Sequence, residues 1–216
     1  MFAMKKTIVF DWNGTLLDDV EICWRLLNEL LTIRRHPTVT LETYRQIFTF
    51  PIQTYYERAG FSFPKDDFVA LAKRFDRDYR AAFPRLSLFP DAKDTLDALK
   101  SSMNLIVLSA SKQANLEDQL KQKGIAQEFS AILGIQDIYG ASKLERGRLY
   151  FKEHPCPSGT LFFVGDTLHD AEVAHALGGE AILIPCGHQT EAILATDPSA
   201  TLLPSLEAFP HYLSTK

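Results

Sequence analysis

Cysteine is scarce in this chain, and the spacing of the few that occur excludes two common uses of the residue. The 216 residues include three cysteines, Cys23, Cys156 and Cys186, an odd number with wide separations. No Cys-x-x-Cys pair is present, so the pattern indicates neither a disulfide framework nor a zinc site. A few cysteines without a disulfide pattern are typical of proteins in a reducing compartment, so we expect a cytoplasmic protein.

Long apolar runs and basic clusters are also missing. No apolar stretch reaches the ~20 residues of a transmembrane helix, and the first residues lead directly into a predicted strand, so we expect no membrane segment and no signal peptide. The net charge is −4, without a run rich in lysine and arginine, which argues against a nucleic-acid partner. The composition is that of an ordinary globular protein. A small-molecule partner is the natural expectation, and nothing in the sequence indicates an oligomeric state.

The most informative segment is residues 7–18, where a predicted strand ends in a carboxylate. The apolar run Ile8–Phe10 is typical of a strand that is buried on both faces of a parallel sheet. Asp11 follows it, and Asn13-Gly14 then turns the chain. Ligands of open α/β sheets bind just outside the carboxyl ends of the strands, so Asp11 is a candidate nucleophile. Taken alone, the same residue is more simply an ordinary aspartate that ends a strand before a turn.

Two later segments place further polar residues at such junctions. The predicted strand Leu105–Ser109 ends in a hydroxyl, with Ala110 and Ser111 leading into a helix. The predicted strand Leu161–Val164 runs into Gly-Asp-Thr-Leu-His-Asp, which contains Asp166 and Asp170. Each of these residues alone is common in turns and helix caps. Because the carboxyl ends of parallel strands share one edge of the sheet, the residues together predict a single site.

A lysine is predicted at the start of a helix near the same edge. Ser142 and Glu145 have the spacing of a capping box, which puts Lys143 in the first helical turn. A cation there is locally unfavourable, because the helix N-terminus already carries partial positive charge. A solvated surface lysine is the simpler interpretation of Lys143 alone. Beside the carboxylates, however, Lys143 predicts that an anion binds opposite it.

The motifs resemble those of the haloacid dehalogenase (HAD) superfamily of aspartate-nucleophile hydrolases, whose first motif is usually Asp-x-Asp-Gly-Thr. The resemblance covers essentially the whole chain, in family order: Asp11–Thr15, Ser109, Lys143 and Gly165-Asp166-x-x-x-Asp170. Phosphatases of the phosphoglycolate phosphatase type look most similar, including Phe89-Pro90-Asp91. The resemblance implies a Rossmann-like α/β core and Mg²⁺-dependent hydrolysis of a small phosphorylated metabolite through a phosphoaspartyl intermediate. Asp11 would be the nucleophile, with Ser109 and Lys143 holding the phosphoryl group.

Position 13 departs from the family, because Asn13 stands where its phosphatases carry a second aspartate. In the family that acid protonates the leaving group and then activates water, and an amide does neither. General acid–base catalysis is worth about 10²–10⁴-fold in rate, so we expect turnover to be slowed, least for good leaving groups. The family uses the backbone carbonyl of this position for Mg²⁺. The implied metal ligands therefore remain Asp11, Asn13, Asp166 and Asp170, a hard oxygen set that suits this ion.

Three alternative functions stay open. Dehalogenases of the superfamily also lack the second acid, but they need no Mg²⁺, so Asp166 and Asp170 argue against them. Phosphonatases have a first motif resembling Asp-Trp-Ala-Gly-Thr, to which Trp12 is similar, but they use a lysine of an inserted cap as a Schiff base. The corresponding insertion offers Lys65 and Lys73, neither in an apolar sequence context. The third alternative is a relative that binds a phosphorylated ligand without turnover.

Residues 19–85 differ from their flanks because their apolar pattern is helical. A first helix is predicted from Val20, behind Asp18 or Asp19 as N-cap, and helical spacing recurs around Leu41–Phe48, Ile52–Ala59 and Asp66–Arg80. Such an insertion after the first strand is similar to the helical cap of the superfamily. We therefore predict a Rossmann-like core of residues 1–18 and 86–216 with an all-helical cap domain of residues 19–85. A plain helical subdomain fits the same periodicity.

Candidate substrate contacts lie in an aromatic turn of this insertion, residues 48–56. Phe48, Phe50 and Tyr55 are candidates for an apolar or ring-shaped part of the substrate, and Arg45 and Arg58 are candidates for a second anionic group. Trp12 is expected to pack against the hinge of the cap. Among the histidines, His169 lies inside the last motif and is placed to touch solvent or substrate. Four others are expected at the surface: His36, His154, His188 and His211.

Overall fold

The centre of the molecule is a six-stranded parallel sheet. The computed structural model describes residues 5–63, 65–135 and 143–216, with the side chains of residues 65–67 excepted. The strands in these ranges are β1 (Thr7–Phe10), β2 (Leu17–Asp18), β3 (Ser87–Leu88), β4 (Asn104–Lys112), β5 (Ala131–Ile135), β6 (Leu161–Gly165), β7 (Glu180–Leu183) and β8 (Thr201–Leu202). The large sheet has the order β5-β4-β1-β6-β7-β8, and β2 pairs with β3 in a separate antiparallel ribbon.

Strand β1 lies inside the sheet, where all four of its side chains are buried; three are apolar, and Thr7 is the one polar residue. It pairs in parallel with β4 on one side, Val9 opposite Ile106, and with β6 on the other, Val9 opposite Phe163. Ile8 and Phe10 pack in one hydrophobic cluster and Val9 in another, as alternation along a strand requires. The predicted α/β fold with a Rossmann-like parallel sheet is confirmed.

Helices cover both faces of the sheet. The α-helices after residue 85 are α5 (Ala92–Leu99), α6 (Gln113–Gln122), α7 (Lys143–Glu153), α8 (Leu168–Ala176), α9 (Glu191–Leu194) and α10 (Ala208–Ser214). Apolar side chains of α5, α6 and α10 belong to the cluster that contains Phe10, whereas those of α7 and α8 pack with Val9. The sheet is therefore enclosed, and its open part is the edge where the parallel strands end.

The regular secondary structure described between β2 and β3 consists of helices, joined by loops. Its α-helices are α1 (Val20–Ile33), α2 (Leu41–Ile47), α3 (Ile52–Arg58) and α4 (Lys65–Ala82), followed by a 3₁₀ turn at Phe83–Arg85. These bounds agree with the predicted helices to within two residues. We call residues 20–82 the helical segment. No helix among the described residues is both long and apolar enough to cross a membrane.

Two local predictions need correction or fall outside the described residues. Strand β4 does not end at Ser109 but continues to Lys112, with a shift in its pairing to β5 after Leu108. The pairing of Lys112 with Ile135 keeps the chain extended, so Ser109 lies inside an irregular strand end. Lys143 begins α7 as predicted, whereas Ser142, its predicted N-cap, lies outside the described residues.

Candidate active site

Asp11 lies at the carboxyl end of the central strand, where its carboxylate meets a buried lysine. Its backbone N–H donates to the carbonyl of Val164 at 2.8 Å, which continues the pairing of β1 with β6. Lys143 Nζ lies 2.5 Å from Asp11 Oδ1 and 2.5 Å from Asp170 Oδ1. The Lys143 side chain is only 5% exposed. The predicted nucleophile, lysine and last motif therefore converge at one edge of the sheet.

Asp170 is oriented by the first turn of its own helix. Thr167 is the N-cap of α8 and forms a capping box with Asp170. The Thr167 backbone N–H and hydroxyl donate to Asp170 Oδ2 at 3.0 and 2.6 Å, so Oδ1 is directed toward Lys143. The two oxygens of Asp170 thus have separate partners: Oδ2 accepts from Thr167 at the start of α8, and Oδ1 contacts Lys143 in the site.

Asp166 is held by groups from two other loops. Thr15 Oγ1 donates to Asp166 Oδ1 at 3.0 Å, and the backbone N–H of His188 donates to Oδ2 at 2.6 Å. Backbone approaches this carboxylate too closely for a side chain: a Cβ built on Gly14 would lie 2.3 Å from Asp166 Oδ2, and one on Gly187 would lie 2.0 Å away. The glycine of the first motif is required here for space and for its φ of +72°.

The charges of this group do not balance. Burial, with repulsion from Asp170 and Asp166, raises the pKa of Asp11 to about 8, although Lys143 acts in the opposite direction. Burial and the charge of Asp170 raise the pKa of Asp166 to about 6, against the effect of His188. Burial alone would also raise the pKa of Asp170, but the adjacent Lys143 ammonium holds it below its ordinary value. The Lys143 ammonium is thus shared by the carboxylates of Asp11 and Asp170, whereas Asp166 is bound by a hydroxyl and a backbone N–H.

This excess of negative charge fits a divalent cation. Oxygen atoms of Asp11, Asp166 and Asp170 lie within 4.8 Å of one another. Carboxylate oxygens are the ligands that hard cations such as Mg²⁺ prefer. A second group of possible ligand atoms, from Asp19, Cys23 and His188, is equally compact. That group is already engaged internally, since His188 Nε2 lies 3.3 Å and Cys23 Sγ 3.6 Å from the Asp19 carboxylate.

Ser109 and Asn13 complete the polar floor of the site. Ser109 is buried, and its Oγ accepts a hydrogen bond from the Ser111 backbone N–H at 3.0 Å. The Ser111 hydroxyl in turn donates to Asn13 Oδ1 at 2.9 Å. Asn13 Nδ2 donates to Asp19 Oδ2 at 2.7 Å and to the hydroxyl of Tyr79 at 2.8 Å. The amide is therefore fixed by neighbours on both sides.

Asp19 has the position predicted for it at the start of α1, but its side chain does not cap the helix. It precedes α1 as the N-cap residue, but its side chain makes no capping hydrogen bond. The carboxylate turns inward instead, where it accepts from Gly14 N at 2.9 Å and from Tyr79 OH at 2.7 Å, besides Asn13. Burial would raise the pKa of Asp19, but the hydrogen bonds from His188, Tyr79 and Asn13 lower it. Asp19 is an ionised part of the site.

His188 is the residue that sequence reasoning missed. It was predicted at the surface, but it is 4% exposed and lies in the site. Its Nδ1 is 2.7 Å from the Tyr44 hydroxyl and its Nε2 is 3.3 Å from Asp19 Oδ1. Burial would lower the pKa of His188, but Asp19 raises it. The available signal was its place in the loop after β7, at the same edge of the sheet as the other strand ends.

A cavity of about 220 Å³ opens beside these groups. Asp11, Asn13, Ser109, Lys143, Asp166 and Asp170 line it from the core side, and the helical segment contributes Phe48, Phe50 and Tyr55 as predicted. Arg45 does not line it, because its Nη2 donates to the Cys186 carbonyl at 3.1 Å, and Arg58 is exposed. Both arginines are therefore dropped as candidate contacts. Trp12 is fully buried and donates to Gln119 Oε1 at 2.8 Å.

The fold and the strand-end carboxylates define a hydrolase class. The model of the haloacid dehalogenase-like hydrolase family matches residues 8–184, and the chain belongs to that family. A phosphoglycolate phosphatase from Synechococcus elongatus is 27% identical over 195 residues, which are 89% of this chain and 90% of the relative. A phosphoglycolate phosphatase from Aliivibrio fischeri is 29% identical, with 87% of each chain covered. The predicted resemblance is thereby confirmed.

Solved structures show the same fold at lower sequence identity. A haloacid dehalogenase-like family hydrolase from Streptococcus pneumoniae has a TM-score of 0.79 and 22% identity, covering 96% of this chain and 98% of that one. A structure described as a predicted phosphatase from Clostridium acetobutylicum has a TM-score of 0.82 and 18% identity, with coverages of 99% and 100%. The dehalogenase and phosphonatase alternatives are not favoured, since the relatives from Synechococcus elongatus and Aliivibrio fischeri are named as phosphatases. Lys73, moreover, is exposed and lies outside the cavity lining.

Proposed function

We propose that this protein is a phosphatase that hydrolyses a small phosphorylated metabolite through a phosphoaspartyl intermediate on Asp11. The observation that carries the proposal is the convergence of Asp11 and Asp170 on Lys143, with Nζ 2.5 Å from each carboxylate. A buried ammonium at the end of the central strand can also neutralise a phosphoryl group that is held against Asp11. A substrate that entered the cavity would meet the nucleophile and this cation together.

The proposed reaction consists of two half-reactions. An Asp11 oxygen attacks phosphorus while Lys143 and Ser109 bind the phosphoryl oxygens, and the bond to the leaving oxygen breaks. Water then hydrolyses the acyl phosphate, which releases inorganic phosphate and restores Asp11. Asn13 does not exchange a proton in either step, so its part is to orient neighbouring groups, and turnover is slowed for poor leaving groups.

We further propose that Mg²⁺ is the cofactor, with Asp11, Asp166, Asp170 and the backbone carbonyl of Asn13 as candidate ligands. The raised pKa values of Asp11 and Asp166 support this assignment, because burial and the neighbouring carboxylates disfavour their ionised forms and a bound cation would offset both effects. Such a cation offsets the repulsion between these carboxylates and the phosphate dianion. In the same proposal residues 19–85 act as the cap over a core of residues 1–18 and 86–216.

Steady-state and rapid-quench kinetics with 4-nitrophenyl phosphate test the proposal. We expect Mg²⁺-dependent release of phosphate and a burst of nitrophenolate in the first turnover, because the second half-reaction is the slower one. Asp11→Asn should abolish the burst, whereas Asp18→Asn, which changes an exposed carboxylate of β2, should keep it. Binding of the ester without any release of phosphate would instead identify a ligand-binding relative.

A further inference from the structure

The walls of the cavity are chemically divided. Its core side carries the charged groups Asp11, Lys143, Asp166 and Asp170. Its helical side is dominated by rings: Phe48, Phe50, Tyr55, Tyr56, Phe75 and Tyr79. We call these six residues the aromatic wall. A phosphoryl group bound at Lys143 would therefore leave the rest of the substrate facing aromatic side chains.

The aromatic wall is held by ring contacts with its surroundings. The Phe48 ring stacks on His188 at 4.7 Å between centroids and lies 5.0 Å from Tyr55. The Phe50 ring stacks on His169 at 4.6 Å. An apolar cavity of about 150 Å³ is enough to hold a benzene molecule. The cavity of about 220 Å³ therefore has room for a phosphoryl group with one ring attached.

A second anionic group on the substrate would meet no cationic side chain on the described helical side of this cavity. The helical side of the described lining contributes no lysine or arginine, and it contributes the carboxylate of Asp76. The cationic or basic side chains of the lining, Lys112, Lys143 and His188, all come from the core side. Of these, Lys143 is engaged with two carboxylates and His188 with Asp19. A carboxylate placed against the aromatic wall would be desolvated without a partner.

Asn13 imposes a separate requirement on the leaving group. The amide has no proton to give, so the leaving oxygen departs as an anion. A phenol has a pKa near 10, about that of tyrosine, whereas an alkanol is closer to water at about 15.7. A phenolate is therefore expelled without assistance far more readily than an alkoxide. The aromatic wall and the amide at position 13 therefore both favour the phosphate ester of a phenol.

We propose that the substrate is the phosphate monoester of a single-ring phenol or similarly acidic ring alcohol, with its ring against the aromatic wall. The proposal rests on the phosphatase activity proposed above. Asp11 displaces the phenolate, which leaves with the electron pair of the P–O bond and takes a proton from solvent. Water then cleaves the phosphoaspartate, so the products are the phenol and inorganic phosphate. The class differs from phosphoglycolate, which carries a carboxylate and an aliphatic leaving oxygen.

Four substrates test the effect of the ring and the effect of a good leaving group independently. Phenyl phosphate has both features and 2-phosphoglycolate has neither. Cyclohexyl phosphate has a ring but a poor leaving group, whereas acetyl phosphate has a good leaving group but no ring. With the full chain and Mg²⁺ we expect phenyl phosphate to exceed cyclohexyl phosphate about 100-fold or more in kcat/KM, which includes the step in which the leaving oxygen departs. The two ring esters should have lower KM values than acetyl phosphate or 2-phosphoglycolate.

Matched variants test the aromatic wall itself. Phe75→Leu and, independently, Phe50→Leu should raise KM for phenyl phosphate about three- to tenfold and leave KM for acetyl phosphate unchanged. Phe151→Leu makes the same change at another half-buried phenylalanine, which packs on Phe163 outside the cavity, and should alter neither value. Two wall positions are used so that misfolding of one variant does not decide the result.

The possible failures can be told apart. A kcat/KM for 2-phosphoglycolate equal to or above that of phenyl phosphate would overturn the substrate class and leave the phosphatase intact. Equal effects of Phe75→Leu and Phe50→Leu on phenyl and acetyl phosphate would overturn the role of the aromatic wall. If phosphate were released from none of the four substrates and not from 4-nitrophenyl phosphate either, the proposed function itself would be overturned.

Discussion

Asn13 Nδ2 donates a hydrogen bond of 2.7 Å to Asp19 Oδ2, so an amide and a buried carboxylate lie in contact near Asp11, the proposed nucleophile. The low pKa of Asp19, which its hydrogen bonds maintain against burial, makes it a poor proton donor. An aspartate at position 13 would face this carboxylate directly. Two carboxylates in such contact cannot both be ionised without a large cost.

This contact predicts that exchanging the two residues restores acid catalysis better than replacing one. The double variant Asn13→Asp/Asp19→Asn keeps one amide and one carboxylate in the pair but moves the carboxyl group to position 13. We expect kcat for cyclohexyl phosphate to rise about 10²-fold, within the usual range of general acid–base catalysis. Asn13→Asp alone should gain less, and Asp19→Asn alone should gain nothing. Equal rates for the double variant and Asn13→Asp would show that Asp19 does not limit the exchange.

The contacts of His188 predict a structural role that an exposed histidine lacks. His188→Leu removes the partner of the Tyr44 hydroxyl and one of the partners of the Asp19 carboxylate. Breaking such a buried pair costs about 3–5 kcal/mol, and we expect the free energy of unfolding in urea to fall by about 3 kcal/mol. His211→Leu, at an exposed position of α10, should stay within about 0.5 kcal/mol. Similar losses in both variants would contradict the buried network.

Alanine variants at Gly14 and Gly178 separate the effect of backbone strain from the effect of crowding against Asp166. Gly14 and Gly178 have the same φ of +72°, but a Cβ on Gly178 would meet no atom within 4 Å. Both alanine variants should lose about 1–2 kcal/mol of stability through the left-handed backbone. Gly14→Ala should also displace Asp166 and weaken Mg²⁺ binding at least tenfold by calorimetry. Unchanged Mg²⁺ affinity in Gly14→Ala would argue against Asp166 as a ligand.

The parts of the site that could be predicted from sequence lie next to recognisable strands. Asp11, Asp166 and Asp170 directly follow or flank apolar strand patterns, so local sequence placed them at one edge of the sheet. His188 also follows a strand, β7, but its burial against Tyr44 and Asp19 and the inward turn of the Asp19 carboxylate depend on contacts between residues far apart in the sequence. Arg45 shows the opposite error: its charge suggested an anion contact, but sequence does not reveal that its guanidinium reaches the Cys186 carbonyl.

Lys143 gives the most general prediction, because it balances the buried charge of Asp11 and Asp170 in addition to its proposed contact with substrate. Lys143→Met leaves Asp11 and Asp170 buried without their ammonium, and we expect a loss of activity and of about 3–5 kcal/mol in the free energy of unfolding at pH 8. Lys152→Met, at an exposed position of the same helix, should be nearly neutral. Asp11 already has a pKa near 8 in the native protein against 3.8 as its ordinary value, and removing Lys143 raises it further.

The native state of the Lys143→Met variant therefore binds a proton at Asp11 that the unfolded state releases above pH 4. Its stability should rise as the pH falls from 8 toward 5. Asp170 loses the ammonium that holds its pKa below the ordinary value, so it too takes up a proton in the native variant, and the deficit relative to Lys152→Met should shrink over that range. Added Mg²⁺ at pH 8 should raise the unfolding midpoint of Lys143→Met, because the ion replaces part of the lost positive charge. Urea titrations at three pH values, each with and without Mg²⁺, measure both effects. A deficit that stays constant with pH would mean that Lys143 contributes packing rather than charge.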